Sequence, residues 1–256
     1  MKRYFVILTL LAFICSCSSK KNIIYLHDSE NHKNFNVEYS EYRLKVDDVL
    51  KIEVSSETVE AALAYNHSSY ISGINNSKES FILNGYQVSN SGHIFFPSFG
   101  KIYVLNKTVE QVRGELYNKI VDENILINPN IDVKHINAHF TILGEVNKPG
   151  KYDYIENNLN IFEAIGMANG LTITGERNNL RIIRGTSESK NEIINIDLTS
   201  SSLFDNPKKL QIVSGDIIII NPNNTRIKNA GIIGNSGTLI SLLSFILSSI
   251  IVINSN

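Results

Sequence analysis

The chain has 256 residues, with 24 Lys and Arg against 25 Asp and Glu, and six His outside the formal net charge of −1. That balance argues against a nucleic-acid-binding face, which needs a clear cationic excess, while 43% hydrophobic and 19% charged residues supply real cores in one or two domains and too little charge for a disordered chain. The two cysteines, Cys15 and Cys17, both lie at the extreme N-terminus, which excludes a disulfide framework, a cysteine zinc site and a cysteine nucleophile from the body.

The start reads as an export signal spanning residues 1–16. Lys2 and Arg3 form a positive n-region, and Tyr4 to Ile14 is an apolar run too short to span a membrane comfortably. Ile14-Cys15-Ser16-Cys17 follows. An apolar residue at −3 and a small one at −1 before a cysteine resembles the bacterial lipobox. That resemblance implies cleavage after Ser16 and acyl chains on Cys17, each buried CH₂ contributing about 0.8 kcal/mol to anchoring. Cys15 fits less well, because bulky Ile14 would stand at its −1 position. The alternative is an ordinary signal peptide with two incidental thiols. Residues 17–38 are polar and read as a lipidated N-terminus and tether.

Order is expected from Tyr39. In YSEYRLKVDDVLKIEV the strand rests on β-branched content, with Val49, Ile52 and Val54 only partly alternating, and on the Asp47-Asp48 turn before it. Residues 55–80 are Ser/Asn-rich, a variable loop or short helix. From Phe81 to Val104, apolar runs broken by Asn84-Gly85, Asn90-Ser91-Gly92 and Pro97–Gly100 predict antiparallel strands with tight turns. Thr108 with Gln111 three residues on is a capping-box pattern. The helix it opens buries Val109, Val112, Leu116 and Ile120. Asn128-Pro129-Asn130 breaks the chain, and Ile131 to Ile136 alternates as a strand. This first domain covers 39–137.

A second domain is expected over 138–222. Strands flank the Pro149-Gly150 turn. Asn160 and Glu163 form a second capping box, and Gly170 is placed at C′ of that helix. Leu180 to Arg184 and Ile193 to Leu198 read as strands, and Leu210 to Asn221 as a turn plus a fully buried strand. A hairpin, one helix across a sheet and further strands make a small β-grasp-like fold, so the class is α+β.

Pro222 to Asn229 links to the tail, in a terminal segment of 223–256. Thr238 to Ile253 is sixteen residues without a charge, roughly 24 Å of helix against a hydrocarbon core of about 30 Å. A thin membrane, or a helix starting near Ala230, closes that gap and makes it a C-terminal transmembrane helix. Ser241, Ser244 and Ser248 recur at i, i+3 and i+7, with Gly237 extending the row into one narrow stripe. The stripe either lines water inside a ring of identical helices or packs neighbouring helices closely. A helix buried in a soluble body is the third reading.

No constellation for chemistry stands out, so no catalytic residue, metal ligand or cofactor is assigned and the chain reads as no enzyme. His135 and His139 are four residues apart in strand context, about 13 Å, too far for one ion. Asp47-Asp48 and Asp122-Glu123 are adjacent carboxylates, which a strand would send to opposite faces. Gly85, Gly92 and Gly100 are turn glycines, and no phosphate-loop motif exists. Eleven Tyr and eleven Phe without Trp neither support nor exclude stacking on sugars.

YRLKVDDVLKIEV, YQVSNSGHIFFPSFGKIYVLNKTVEQV and NPNIDVKH resemble the motif blocks of the polysaccharide biosynthesis/export domain of Wza-type exporters. TILGEVNKPGKY, IFEAIGMANGLT and LQIVSGDIIII resemble the soluble-ligand-binding β-grasp (SLBB) domain. The resemblance covers about residues 39–222 in order. Asp47, Asn106 and Asn169 stand where the pattern has Gly; Asn and Asp are the residues that best tolerate such turn geometry. One SLBB copy is visible where Wza-type exporters resemble a stack of two, implying a shorter periplasmic body.

The resemblance implies an outer-membrane lipoprotein with periplasmic domains, assembled as a homo-oligomeric ring (an octamer by the family's pattern) that exports capsular or extracellular polysaccharide. It also implies an inner-membrane polysaccharide co-polymerase/tyrosine kinase as partner. The alternative function is a periplasmic lipoprotein that binds a soluble saccharide without forming a channel. A second rival, a periplasmic polysaccharide hydrolase, lacks a carboxylate constellation.

Overall fold

A computed structural model describes residues 23–31, 39–66, 82, 84–124, 126–185, 191–224, 227 and 236–254. The signal segment, Cys17 and most of the linker before the terminal helix lie outside the described residues.

The first domain is built on β1 (Val49–Ser55), whose alternation sends Leu50, Ile52 and Val54 inward. β1 pairs antiparallel with β2 (Tyr86–Gln87) and β5 (Asn130–His135), in the order β2-β1-β5. Between β1 and β2 lies the short helix α1 (Val59–Leu63). A separate hairpin, β3 (His93–Phe96) and β4 (Gly100–Tyr103), lays Ile94, Phe96 and Ile102 on the same core. α2 (Val109–Asp122) closes it with Val112, Leu116 and Ile120, while Val109 is only partly buried. Both halves of its capping box are made: Gln111 N–H donates to Thr108 Oγ1 at 3.2 Å, and Thr108 N–H to Gln111 Oε1 at 3.0 Å.

The strand begins at Val49, directly after the Asp47-Asp48 turn expected before it. Asp47 takes φ 70°, and this left-handed turn interrupts extension. The residues before it cross to the loop ahead of α2, where Leu44 N–H donates to Lys107 O and Asn106 N–H to Leu44 O, each at 2.9 Å. Asn106 and Asn169 share the conformation, with φ 63° and 61°. All three positions that replace glycine therefore need glycine-like backbone, and Asn and Asp supply it at modest cost.

The second domain is a mixed five-stranded sheet in the order β10-β9-β12-β6-β7. Its strands are β6 (His139–Gly144), β7 (Gly150–Asp153), β9 (Leu180–Gly185), β10 (Asn191–Ile196) and β12 (Ile217–Ile220). β6 and β12 run parallel, and the other pairs antiparallel. β8 (Leu159–Asn160) leads into helix α3 (Ile161–Met167), which buries Ile161, Ala164 and Ile165 with Phe140, Ile142 and Leu180. The Asn160–Glu163 capping box is present. The other end corrects one expectation. Asn169, not Gly170, is C′, and Gly170 is one position beyond. Asn169 N–H donates to Gly166 O and Gly170 N–H to Ile165 O, both at 2.9 Å, the two bonds of a Schellman motif. In the run from Leu210 read as a turn plus a strand, the strand is β12, and α4 (Pro207–Leu210) and β11 (Gln211–Ile212), which pairs with β8, come before it.

Gly144 holds the parallel pair together. At φ 94°, an added Cβ would lie 2.0 Å from Ile220 O. Gly144→Ala combines that clash with left-handed strain and is expected to destabilise the protein by about 3 kcal/mol or more, read from thermal unfolding.

Candidate functional site at the domain junction and terminal helix

The domains meet around Asp48. Its Oδ2 accepts from Lys45 N–H at 2.7 Å and Tyr42 O–H at 2.9 Å, and its Oδ1 lies 3.2 Å from His135 Nε2. The Tyr42 ring stacks on His135 with centroids 5.2 Å apart. Burial, then the Asp48 carboxylate, raises the Tyr42 phenol far above its ordinary value and keeps it a donor. Asn137 ties the crossover: its amide donates to Asp47 O at 2.9 Å and its Oδ1 accepts from Val49 N–H at 2.8 Å. On the second domain, the Gln211 side chain bonds both the N–H and the C=O of Ser40, at 2.9 and 2.8 Å. These are positioning contacts with every strong group answered, and the arrangement presents no nucleophile or acid–base pair.

The residues singled out for chemistry are structural. His139 Nδ1 lies 3.0 Å from Asn137 O, so His135 and His139 bracket one asparagine, and no group of three or more metal-ligating side chains occurs among the described residues. Glu123 accepts from Tyr65 at 2.5 Å; burial, then this carboxylate, pushes the buried Tyr65 phenol up to about 12. Beside the junction a cleft of about 1450 Å³ runs from β1 and β5 to the 154–158 segment. Its charges are mixed: Glu41, Glu53, Glu110, Asp132 and Glu156 face Arg113, Lys134 and His135.

Part of the stretch read as a tether is docked. Leu26 and His27 N–H groups donate to Leu198 O and Thr199 O at 3.0 and 2.9 Å. The Tyr25 ring lies against buried Arg177, with the guanidinium carbon 5.3 Å from its centroid, and edge-on to Phe162. Asp28 accepts from Ser201 N–H at 2.6 Å and Ser200 O–H at 3.1 Å. The signal was present in the sequence: Ile23-Ile24-Tyr25-Leu26 is an apolar quartet inside a polar stretch.

The Ser201 backbone N–H, ahead of the serine hydroxyls, lowers the Asp28 pKa. Its contribution is therefore complete above the ordinary aspartate value and is lost as pH falls through the lower folded value. Exchange protection of the His27 amide is expected to drop in that acidic window, and Asp28→Asn to remove that pH step.

The terminal segment forms α5 (Ser236–Asn254), 19 residues and about 28 Å of helix. Ile240, Leu242, Leu243 and Phe245 are exposed. Among the described residues, no helix is long and apolar enough to cross a membrane, so the expected spanning helix is not supported as an isolated element. Of the predicted stripe, Ser244 Oγ donates to Ile240 O at 2.9 Å and Ser248 Oγ to Ser244 O at 2.6 Å. Ser241 and Gly237 share its row. These hydroxyl protons are satisfied within the helix, which lowers the cost of an apolar setting.

Residues 36–135 match the family described as polysaccharide biosynthesis/export protein, and residues 138–220 match the SLBB domain. The chain therefore carries a polysaccharide biosynthesis/export domain followed by an SLBB domain. It is 25% identical over 193 residues to the EPS I polysaccharide export outer membrane protein EpsA of Ralstonia solanacearum, covering 71% of this chain and 48% of that protein. It is 30% identical over 152 residues to the protein of the same description from Ralstonia nicotianae, covering 56% of this chain and 39% of the relative. The chain thus spans about half the length or less of the curated relatives it matches. Family and relatives are named for export and not for catalysis.

Proposed function

We propose that this chain is the outer-membrane subunit of a homo-oligomeric translocon that passes an extracellular or capsular polysaccharide from the periplasm to the cell surface. The observation that carries the reading is the order of parts: an export domain, an SLBB domain, then a 19-residue uncharged helix with exposed aliphatic side chains. One such helix encloses nothing, so the reading requires a ring. With axes about 10 Å apart, eight helices surround a lumen of roughly 16 Å, wide enough for a hydrated sugar chain. A bacterial outer membrane thinner than the average bilayer suits a helix of this length, and backbone groups stay satisfied inside each helix.

Cys17 carries the lipid in this reading. Tyr25, the first docked residue, lies eight positions on, at most about 29 Å of chain, so acylation there holds the SLBB domain close to the membrane. Gly237, Ser241, Ser244 and Ser248 form the face that lines the lumen or packs neighbouring helices. The partner at the periplasmic mouth is an inner-membrane polysaccharide co-polymerase.

Electron microscopy of the full chain extracted in mild detergent tests the reading. Closed rings with one subunit per helix are expected. Solitary molecules under those conditions overturn it.

A further inference from the structure

One face of the β3–β4 hairpin has no part in the core. Ile94, Phe96 and Ile102 point inward, so alternation sends His93, Phe95, Lys101 and Tyr103 to the other side. Phe95 is 72% exposed and Tyr103 45%. They sit on neighbouring rungs, Phe95 opposite Lys101 and His93 opposite Tyr103, about 7 Å apart along the strands.

The Tyr103 ring is held in place. His93 meets it edge-on with centroids 5.2 Å apart, and Lys107 Nζ lies 5.8 Å from its centroid. Beneath it, a Cβ on Gly92 would stand 2.8 Å from Tyr103 Cε2, so the ring rests against the turn in space that only glycine leaves. The strip continues to Arg43, whose Nη1 donates to Asn106 O at 2.8 Å. Glu115 answers Lys107 at 2.6 Å. Lys101 and Arg43 have no carboxylate partner among the described residues.

We propose that this strip binds an acidic polysaccharide, the aromatic rings meeting the C–H faces of pyranose units and the cations meeting their carboxylates. The inference rests on the export reading and deepens it by naming the chemistry of the cargo. Charge complementarity selects the ligand. The interdomain cleft carries five carboxylates against two permanent cations and one His and repels such a polymer, whereas Lys101 and Lys107 stand beside the exposed rings with Glu115 in reply. A held, half-exposed aromatic ring beside a cation stacks on a ligand with little ordering cost. Successive rungs then meet successive units of one extended chain.

The test uses the full chain in detergent with two probes of matched length, oligogalacturonate and dextran oligomers, read by calorimetry. Oligogalacturonate is expected to bind with salt-sensitive affinity and dextran more weakly. Phe95→Ala and Tyr103→Ala are each expected to weaken oligogalacturonate about three- to tenfold, and Lys101→Glu to weaken it and flatten the salt dependence. Unchanged melting temperatures show that these surface variants fold. No binding by the wild type, equal binding of both probes, or unaltered binding by the Phe95→Ala/Lys101→Glu double variant overturns the proposal. So does a double variant that binds normally but loses its assembly, which assigns the strip to a contact between copies. Failure of the export reading shows elsewhere, as solitary particles in wild-type protein, and is independent of the probe measurements.

Discussion

Deletion of residues 236–256 is expected to abolish surface polysaccharide, if the proposed export role holds, while leaving both domains folded. This is the largest effect expected of any change to the chain. No contact between α5 and the two domain cores is needed for either core to form: each closes on its own apolar residues, from Leu44 to Val133 in one and from Ala138 to Ile220 in the other. The truncated protein therefore keeps its cooperative melting transition. What it loses is the exposed apolar surface of Leu242, Leu243 and Phe245, the material of the proposed ring. Surface polysaccharide is measured in a complemented null strain beside the melting curve of the purified protein. Normal export by the truncated chain removes the role proposed for the helix.

Asp216→Ala is expected to unfold the second domain at working temperature. The Arg184 side chain is 13% exposed and that of Asp216 not at all. They meet through two parallel bonds, Nε to Oδ1 at 2.9 Å and Nη2 to Oδ2 at 2.7 Å, and Asp216 also accepts from Val213 N–H at 2.9 Å. Removing one partner strands a desolvated guanidinium, a cost of about 3–5 kcal/mol. In a domain of this size each kcal/mol lowers the melting temperature by about 4–8 °C. Arg184→Met in the same background is expected to recover part of the loss, because the stranded charge is then gone. Equal melting temperatures for wild type and Asp216→Ala contradict this account of the pair. Tyr154 belongs to the same neighbourhood. Burial, ahead of the Asp216 charge, raises its phenol above the ordinary value, so it stays neutral throughout the range in which the pair is charged.

The elements that were legible carry their causes locally. The α2 helix was readable because Thr108 and Gln111 answer each other within one turn and because Val112, Leu116 and Ile120 recur at helical spacing. Asp47, Asn106 and Asn169 announced left-handed turns because few side chains other than these tolerate them. The strand after the Asp47-Asp48 turn was legible as well: β-branched content says that the segment suits an extended backbone, whereas its partners, β2 and β5, are set by the tertiary structure. Gly170 was set one position early because Asn169 can hold C′ as well as glycine can.

The functional surfaces divide in the same way. The apolar, uncharged tail and its serine row were visible as spacing alone, whereas the return of the serine hydroxyls to their own helix depends on rotamers that spacing does not specify. The docking of Tyr25 to Asp28 depends on Arg177 and Ser201, more than 150 residues away in the chain, and nothing in the polar segment itself names them. The aromatic strip is similar: Phe95 and Tyr103 were two of 22 Phe and Tyr residues until the hairpin register put them on one outward face.

By itself, the sequence determined which segments turn, cap and bury, because those outcomes follow from neighbours a few residues away. It also carried the ordered motif blocks of a two-domain export protein. The tertiary structure alone decided that Asp48, Tyr42 and His135 come together at one end of the first domain, that Ser40 and Gln211 join it to the second, that the N-terminal segment lies on the second domain, and that one hairpin face keeps its rings in water. Each of those depends on contacts between residues far apart in the chain, and such contacts exist only once the whole chain has closed around them.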